Sequence, residues 1–147
     1  MEPQLAALRQ AQLHDLMCLG WRPADPSSPE SIALCFEQVF KDTSEVAQNN
    51  GDPGRPQALA GQVWSGIALL AYGQLWPLEE VLRVIESNPS VVRSREAGSI
   101  IRAIKLLVPF PESMSPAQEP RAAQEWLAAN GDRLKWDEAA GKFGLTA

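Results

Sequence analysis

The chain reads as an all-α protein, a single domain over residues 1–147. Five to six helices packed as antiparallel pairs are expected, closed by a small C-terminal hairpin or turn. Three observations predict this. Apolar residues recur at three- and four-residue intervals through most of the chain. Clusters of proline and glycine interrupt that rhythm between segments of helical length. After Asn130-Gly131 the spacing changes to alternation, with Leu134 and Trp136 before a glycine-containing turn and Phe143 and Leu145 after it. At 147 residues the chain is long enough to bury a core without disulfide or metal staples.

The first helix is expected from about Gln4 to Leu19, with Leu5, Leu8, Leu16 and Leu19 near one side and Gly20 as its stop. The following loop, Trp21 to Ser28, carries two prolines and cannot be helical. Ser28-Pro29 then makes a helix start, because the hydroxyl accepts from an early N–H and proline suits the first turn. The second helix runs from Pro29 to about Gln48, burying Ile32, Cys35, Phe36, Val39, Phe40 and Val46. Asn49 to Pro56 is the clearest internal break, dense in turn formers.

A third helix, about Pro56 to Tyr72, is apolar over much of its circumference (Leu59, Val63, Trp64, Ile67, Leu70, Ala71) and belongs at the centre, with Gly73 ending it. Pro77 opens a short fourth helix whose Leu78, Val81, Leu82 and Ile85 face inward, and Asn88-Pro89 stops it. The fifth is expected from about Val91 to Leu107, with Ala97, Ile100, Ile101, Ile104, Leu107 and Val108 inward. Pro109, Pro111 and Pro116 force an extended connection before a sixth helix from about Pro120 to Asn130. A hairpin alone is marginal, so the C-terminal one must dock on the helices through its apolar side chains. The competing reading of that segment is a short helical turn from Asp137 to Ala140.

Residues 88–108 hold a turn with proline, then Val92-Arg93, a small residue at Ala97 and aliphatics at helical spacing. This resembles the second half of a HEAT-like helical repeat, although Ala97 falls one position later than that family's usual spacing. The resemblance implies stacked helix pairs and a binding role, and it carries over no functional residue.

Residue chemistry offers little for catalysis. His14, the single histidine, shares a helix face with Cys18 four residues on, and Cys35 lies on the next helix. With Asp15 or Asp42 these would form a mixed zinc site, but structural zinc ligands come in close pairs and no Cys-x-x-Cys exists, so no zinc is expected. A Cys–His nucleophile would need an orienting group and an oxyanion hole, neither of which the sequence marks. Cys18 and Cys35 read more simply as small buried hydrophobes. Glu79-Glu80 and Asp137-Glu138 are adjacent pairs whose side chains diverge, and Gly51 to Arg55 lacks the strand and the Gly-Lys-Ser/Thr of a phosphate loop. No catalytic, cofactor or metal residue is assigned.

Charge points to a class of partner. Net charge is −5, divided as −4 over residues 1–50, +1 over 51–110 and −2 over 111–147. An acidic chain repels phosphate backbones, so nucleic acid is not an expected partner. No apolar stretch reaches the roughly 20 residues of a membrane span, and the N-terminus lacks the basic and apolar regions of a secretory signal, so a cytoplasmic location away from membranes is expected. Glu30, Glu37 and Glu45 recur at about two helical turns and, with Asp42, should line one outward stripe of the second helix. Trp21 and Trp76 stand at helix ends beside proline, where aromatic anchors serve interfaces.

The resulting expectation is a non-enzymatic protein-binding module that captures a basic protein through Glu30, Glu37, Asp42, Glu45, Trp21 and Trp76. An immunity protein, an antitoxin or a secretion chaperone fits that description, and self-association stays open. The alternatives are a helical DNA-binding regulator using Arg93, Arg95, Arg102 and Lys105, and a small enzyme built on His14, Cys18 and Glu37.

Overall fold

A computed structural model describes residues 2–93 and 102–146. Helix α1 spans Pro3–Cys18, α2 Pro29–Ala47, α3 Arg55–Leu70 and α4 Pro77–Ser87. A 3-10 turn, Pro89–Arg93, follows α4. Residues 102–107 are helical (α5), and α6 spans Pro120–Asn130. A second 3-10 turn, Gly131–Arg133, leads into strands β1 (Leu134–Asp137) and β2 (Lys142–Leu145), which pair antiparallel. The fold is thus helical with a small C-terminal hairpin, as the spacing predicts.

Local chemistry accounts for the boundaries. Helices α1, α2, α3, α4 and α6 each carry proline in their first two positions, where its missing N–H is no loss. The Ser28 hydroxyl accepts from the Ser31 N–H at 3.3 Å, and the Glu2 carboxylate accepts from the Leu5 N–H at 2.7 Å. In the hairpin, Trp136 faces Phe143 and Leu134 faces Leu145 across the ladder. The two competing readings of this segment meet in its loop, where the Gly141 N–H donates to the Asp137 carbonyl at 2.8 Å, a single helical turn joining two strands.

Helix α3 occupies the centre. Ala58, Leu59, Val63, Ile67, Ala68, Leu69 and Leu70 are all buried, and from Gln62 onward none of its residues is exposed. Its most extensive neighbour is α2, which contributes Phe36, Val39 and Phe40; α4 packs on α3 with Leu78, Val81, Leu82 and Ile85 and also meets α6. Ile104, Leu107 and Val108 from the α5 region, Ala123 from α6, and Leu134 and Phe143 from the hairpin complete one continuous core. Burial of such a set is the main favourable term in folding.

Several details differ from the sequence reading. Leu19 is 67% exposed, because α1 ends before it and Gly20 turns the chain away at φ +96°. Cys18 is exposed and Cys35 only half-buried, so the pair are not core hydrophobes. Trp64 packs at the margin of the core, edge-on to Phe36 at 5.3 Å. Residues Pro89–Arg93 form a 3-10 turn where the start of a fifth α-helix was expected; Pro89 and Val91 sit in the turn that ends α4. Arg95, Ala97, Ile100 and Ile101, and with them the middle of the HEAT-like segment, lie outside the described residues.

The α2–α3–α4 contact depends on Gly66. A Cβ built there would lie 2.5 Å from Val81 Cγ2 and 3.1 Å from the Phe40 ring. Alanine favours a helix interior over glycine by about 1 kcal/mol, but overpacking a filled core costs about 1–3 kcal/mol. The clash wins. Gly66→Ala is expected to destabilise the domain by about 1–2 kcal/mol in urea unfolding, and a stabilised variant would show that α2 and α4 do not meet over Gly66.

Candidate functional site

The inner face of α1 is Leu5, Arg9, Gln12 and Leu16, at intervals of four, three and four residues. Two of these four are polar, and Arg9 is the organising one. A buried guanidinium requires partners for its donors, and each of its nitrogens has one. Arg9 Nε donates to the Ala71 carbonyl at 2.9 Å, just past the end of α3. Nη1 and Nη2 donate to Glu138 Oε1 and Oε2 at 2.6 and 3.1 Å, a bidentate fork with the hairpin loop. The guanidinium carbon lies 4.6 Å from the centre of the Tyr72 ring, within cation–π range.

Glu138 takes a third donor. Beside the two Arg9 donors it accepts from the Trp136 indole N–H at 2.6 Å. The Arg9 hydrogen bonds, helped by that of Trp136, hold its carboxyl below the usual glutamate range in spite of its partial burial. Burial pushes the Tyr72 phenol up, partly offset by the Arg9 charge.

Two chain features set this group in place. The α3–α4 turn brings Tyr72 and Gln74 forward, with the Gly73 and Gln74 N–H groups donating back to Leu70 and Leu69 carbonyls. Gly73 has φ +83°, and a Cβ there would strike Trp136 Cγ at 2.8 Å. Glycine therefore serves both the turn and the close seat of the indole. Within the hairpin Trp136 and Phe143 lie edge-on to each other at 5.1 Å, and Phe143 is buried in the core.

Around this group lies a cleft of about 540 Å³. Arg9, Glu138, Tyr72 and Trp136 line one side, Gln74 adds the turn, and Pro29, Glu30, Ala33, Leu34 and Glu37 of α2 form the facing wall. Glu30, Leu34 and Glu37 follow at four and three residues, hence share a face. Leu34 is 64% exposed on it. Glu30 accepts from the Ser28 hydroxyl at 3.1 Å, and no ion pair among the described residues includes Glu30 or Glu37. One guanidinium against three carboxylates leaves the lining at −2, with the Arg9–Glu138 pair internally neutral.

The expected interface residues divide. Glu30 and Glu37 wall the cleft, Glu37 half-buried where an outward stripe was expected. Asp42 is exposed and accepts from Gln38 at 2.7 Å, and Glu45 is exposed; neither lines the cleft. Trp76 is 53% exposed, edge-on to Phe40 at 5.3 Å, and its indole N–H donates to Gln74 at 2.9 Å, which places it beside the cleft rim. Trp21 is half-buried against the core.

The other constellations stay apart from the cleft. His14 Nε2 and Cys18 Sγ are 3.5 Å apart on the exposed end of α1, whereas Glu37 lines the cleft without them. No group of three or more His, Cys, Asp or Glu among the described residues is placed to hold a metal ion. Arg93, Arg102 and Lys105 are exposed, with Lys105 donating to the Glu112 carbonyl at 3.2 Å. No helix among the described residues is long and apolar enough to cross a membrane.

Sequence reasoning missed Arg9, Tyr72, Trp136 and Glu138 as one group. The available signal was the spacing of Arg9 and Gln12 between Leu5 and Leu16, which puts a charge on a face otherwise committed to the core. Comparisons with family models, with curated proteins and with solved structures found no match.

The Glu138 pairing has a pH signature. A folded-state carboxyl held below its ordinary value stabilises the fold above that value, and the contribution is lost as pH falls through the lowered one. Glu138→Gln should therefore melt below the wild type at neutral pH. That difference should shrink on acidification below about pH 4.5, the ordinary glutamate value. A difference in melting temperature independent of pH would remove the ion pair as its cause.

Proposed function

We propose that this chain is a non-enzymatic protein-binding module whose acidic cleft captures a basic protein, in the manner of an immunity protein, an antitoxin or a secretion chaperone. One observation carries the reading. Glu30 and Glu37, two carboxylates without ion-pair partners among the described residues, stand on one wall of a concave site that also presents exposed Leu34 and the aromatic residues Tyr72 and Trp136. Concavity, apolar contact and uncompensated charge of one sign are the ingredients of a steered protein interface. Trp76, more than half exposed beside Gln74, extends the aromatic surface outward.

The −4 charge of the first fifty residues supports the same partner chemistry, since a field of one sign raises the encounter rate with a body of the other. The polar groups opposite α2 bind one another: Arg9, Glu138 and Trp136 satisfy each other's hydrogen bonds. A mutually hydrogen-bonded set suits a rigid wall better than it suits a group that must give or take a proton in turnover.

Reversing the wall tests the proposal. Wild-type protein and a Glu30→Lys, Glu37→Lys variant, immobilised in parallel, are exposed to lysate of the native host at low salt. A basic protein retained by the wild type, released by moderate salt and absent from the variant is the expected result, with the variant's melting temperature within a few degrees of the parent. Identical retention by both proteins would move the interface away from the cleft.

A further inference from the structure

We infer that the cleft is a receptor for one arginine side chain of the basic partner, with the guanidinium paired to Glu37 and laid against the Trp136 indole. This rests on the reading of the cleft as a protein-docking site and narrows it to a single recognised group.

Size comes first. The cleft is open to solvent, with about 540 Å³ of space between its walls. The cleft takes a side chain with part of its backbone. Charge selects the kind. With Arg9 and Glu138 neutralising each other, the remaining charge is that of Glu30 and Glu37, which calls for a cation.

The protein's own Arg9 argues for arginine over lysine. Beside the cleft a guanidinium is already held by a carboxylate fork and an aromatic face, from Glu138 and Tyr72. Glu37 and Trp136 both line the cleft and are the same two kinds of group. A planar guanidinium uses both at once, whereas an ammonium is a compact, strongly hydrated point charge. Glu30 lies seven residues from Glu37, about 10.5 Å along the axis, too far to share the fork and near enough to add attraction at the rim. Leu34 between them supplies a surface for the aliphatic stem.

The probe is acetyl-Gly-Arg-Gly-amide, with counterparts carrying citrulline or lysine in the middle, titrated into the isotope-labelled full chain and followed by NMR. Saturable shifts at the Trp136 indole N–H and the Glu37 amide are expected with the arginyl peptide. Citrulline, neutral and nearly the same shape, should bind at least about tenfold more weakly, since charge-assisted pairing is lost. Lysine should fall between the two. Glu37→Gln should weaken the arginyl peptide about tenfold and Glu30→Gln about two- to threefold, while Glu125→Gln on the exposed face of α6 changes nothing.

Equal binding of the citrulline peptide, undiminished binding by Glu37→Gln, or the lack of a saturable shift would each overturn the inference. If the peptides fail while reversal of Glu30 and Glu37 still releases a basic protein, the docking reading stands and the single-arginine receptor falls. If reversal also changes nothing, both fall.

Discussion

Burying the Arg9 guanidinium is the constraint on which the site depends. A cation with a side chain only 10% exposed is tolerated only where its donors are met. Its partners come from three places in the chain: the carbonyl of Ala71, the ring of Tyr72 and the carboxylate of Glu138. Satisfying one side chain on α1 thereby fixes the end of α3, the turn into α4 and the hairpin loop against one another. Helix α1 has few backbone neighbours compared with the α2–α3 pair, so this polar tie, with Leu5 and Leu16, is what seats it.

The core and the cleft follow different physical rules. Within the core, dense apolar packing decides, and the limit is space: α2 and α4 approach α3 where Gly66 leaves no Cβ between Phe40 and Val81. At the cleft, hydrogen-bond satisfaction decides. One side is closed by the mutual bonds of Arg9, Glu138 and Trp136, while α2 opposite carries the carboxylates that none of the described cations meet. A neutral, preorganised side and a charged side facing each other suit the recognition of a cation at little cost in rearrangement.

Helix α2 connects the two regimes. Phe36, Val39 and Phe40 on one face belong to the core, and Glu30, Leu34 and Glu37 on another form the cleft wall. Its start is set by Ser28 and Pro29, and Glu30 in the first turn also favours the positive end of the helix dipole. The wall is therefore positioned by ordinary helix-capping chemistry and held rigid by the core behind it.

By itself the sequence determined helices α1 to α4 and α6 to within about two residues, the proline-marked starts of α2, α4 and α6, the apolar centre in α3 and, as one of two readings, the hairpin from Leu134 to Leu145. Each of these rests on spacing and backbone chemistry within a few residues, which a single chain displays directly. It also placed Glu30 and Glu37 on one face of α2. Only the tertiary structure decided that this face is a cleft wall, because the opposing side is assembled from residues 9, 72, 74, 136 and 138. Arg9 and Glu138 are separated by 129 positions, and no local pattern couples them. The acid Glu138 reads as one more solvated charge in a turn until a buried guanidinium far away in the chain demands its carboxylate.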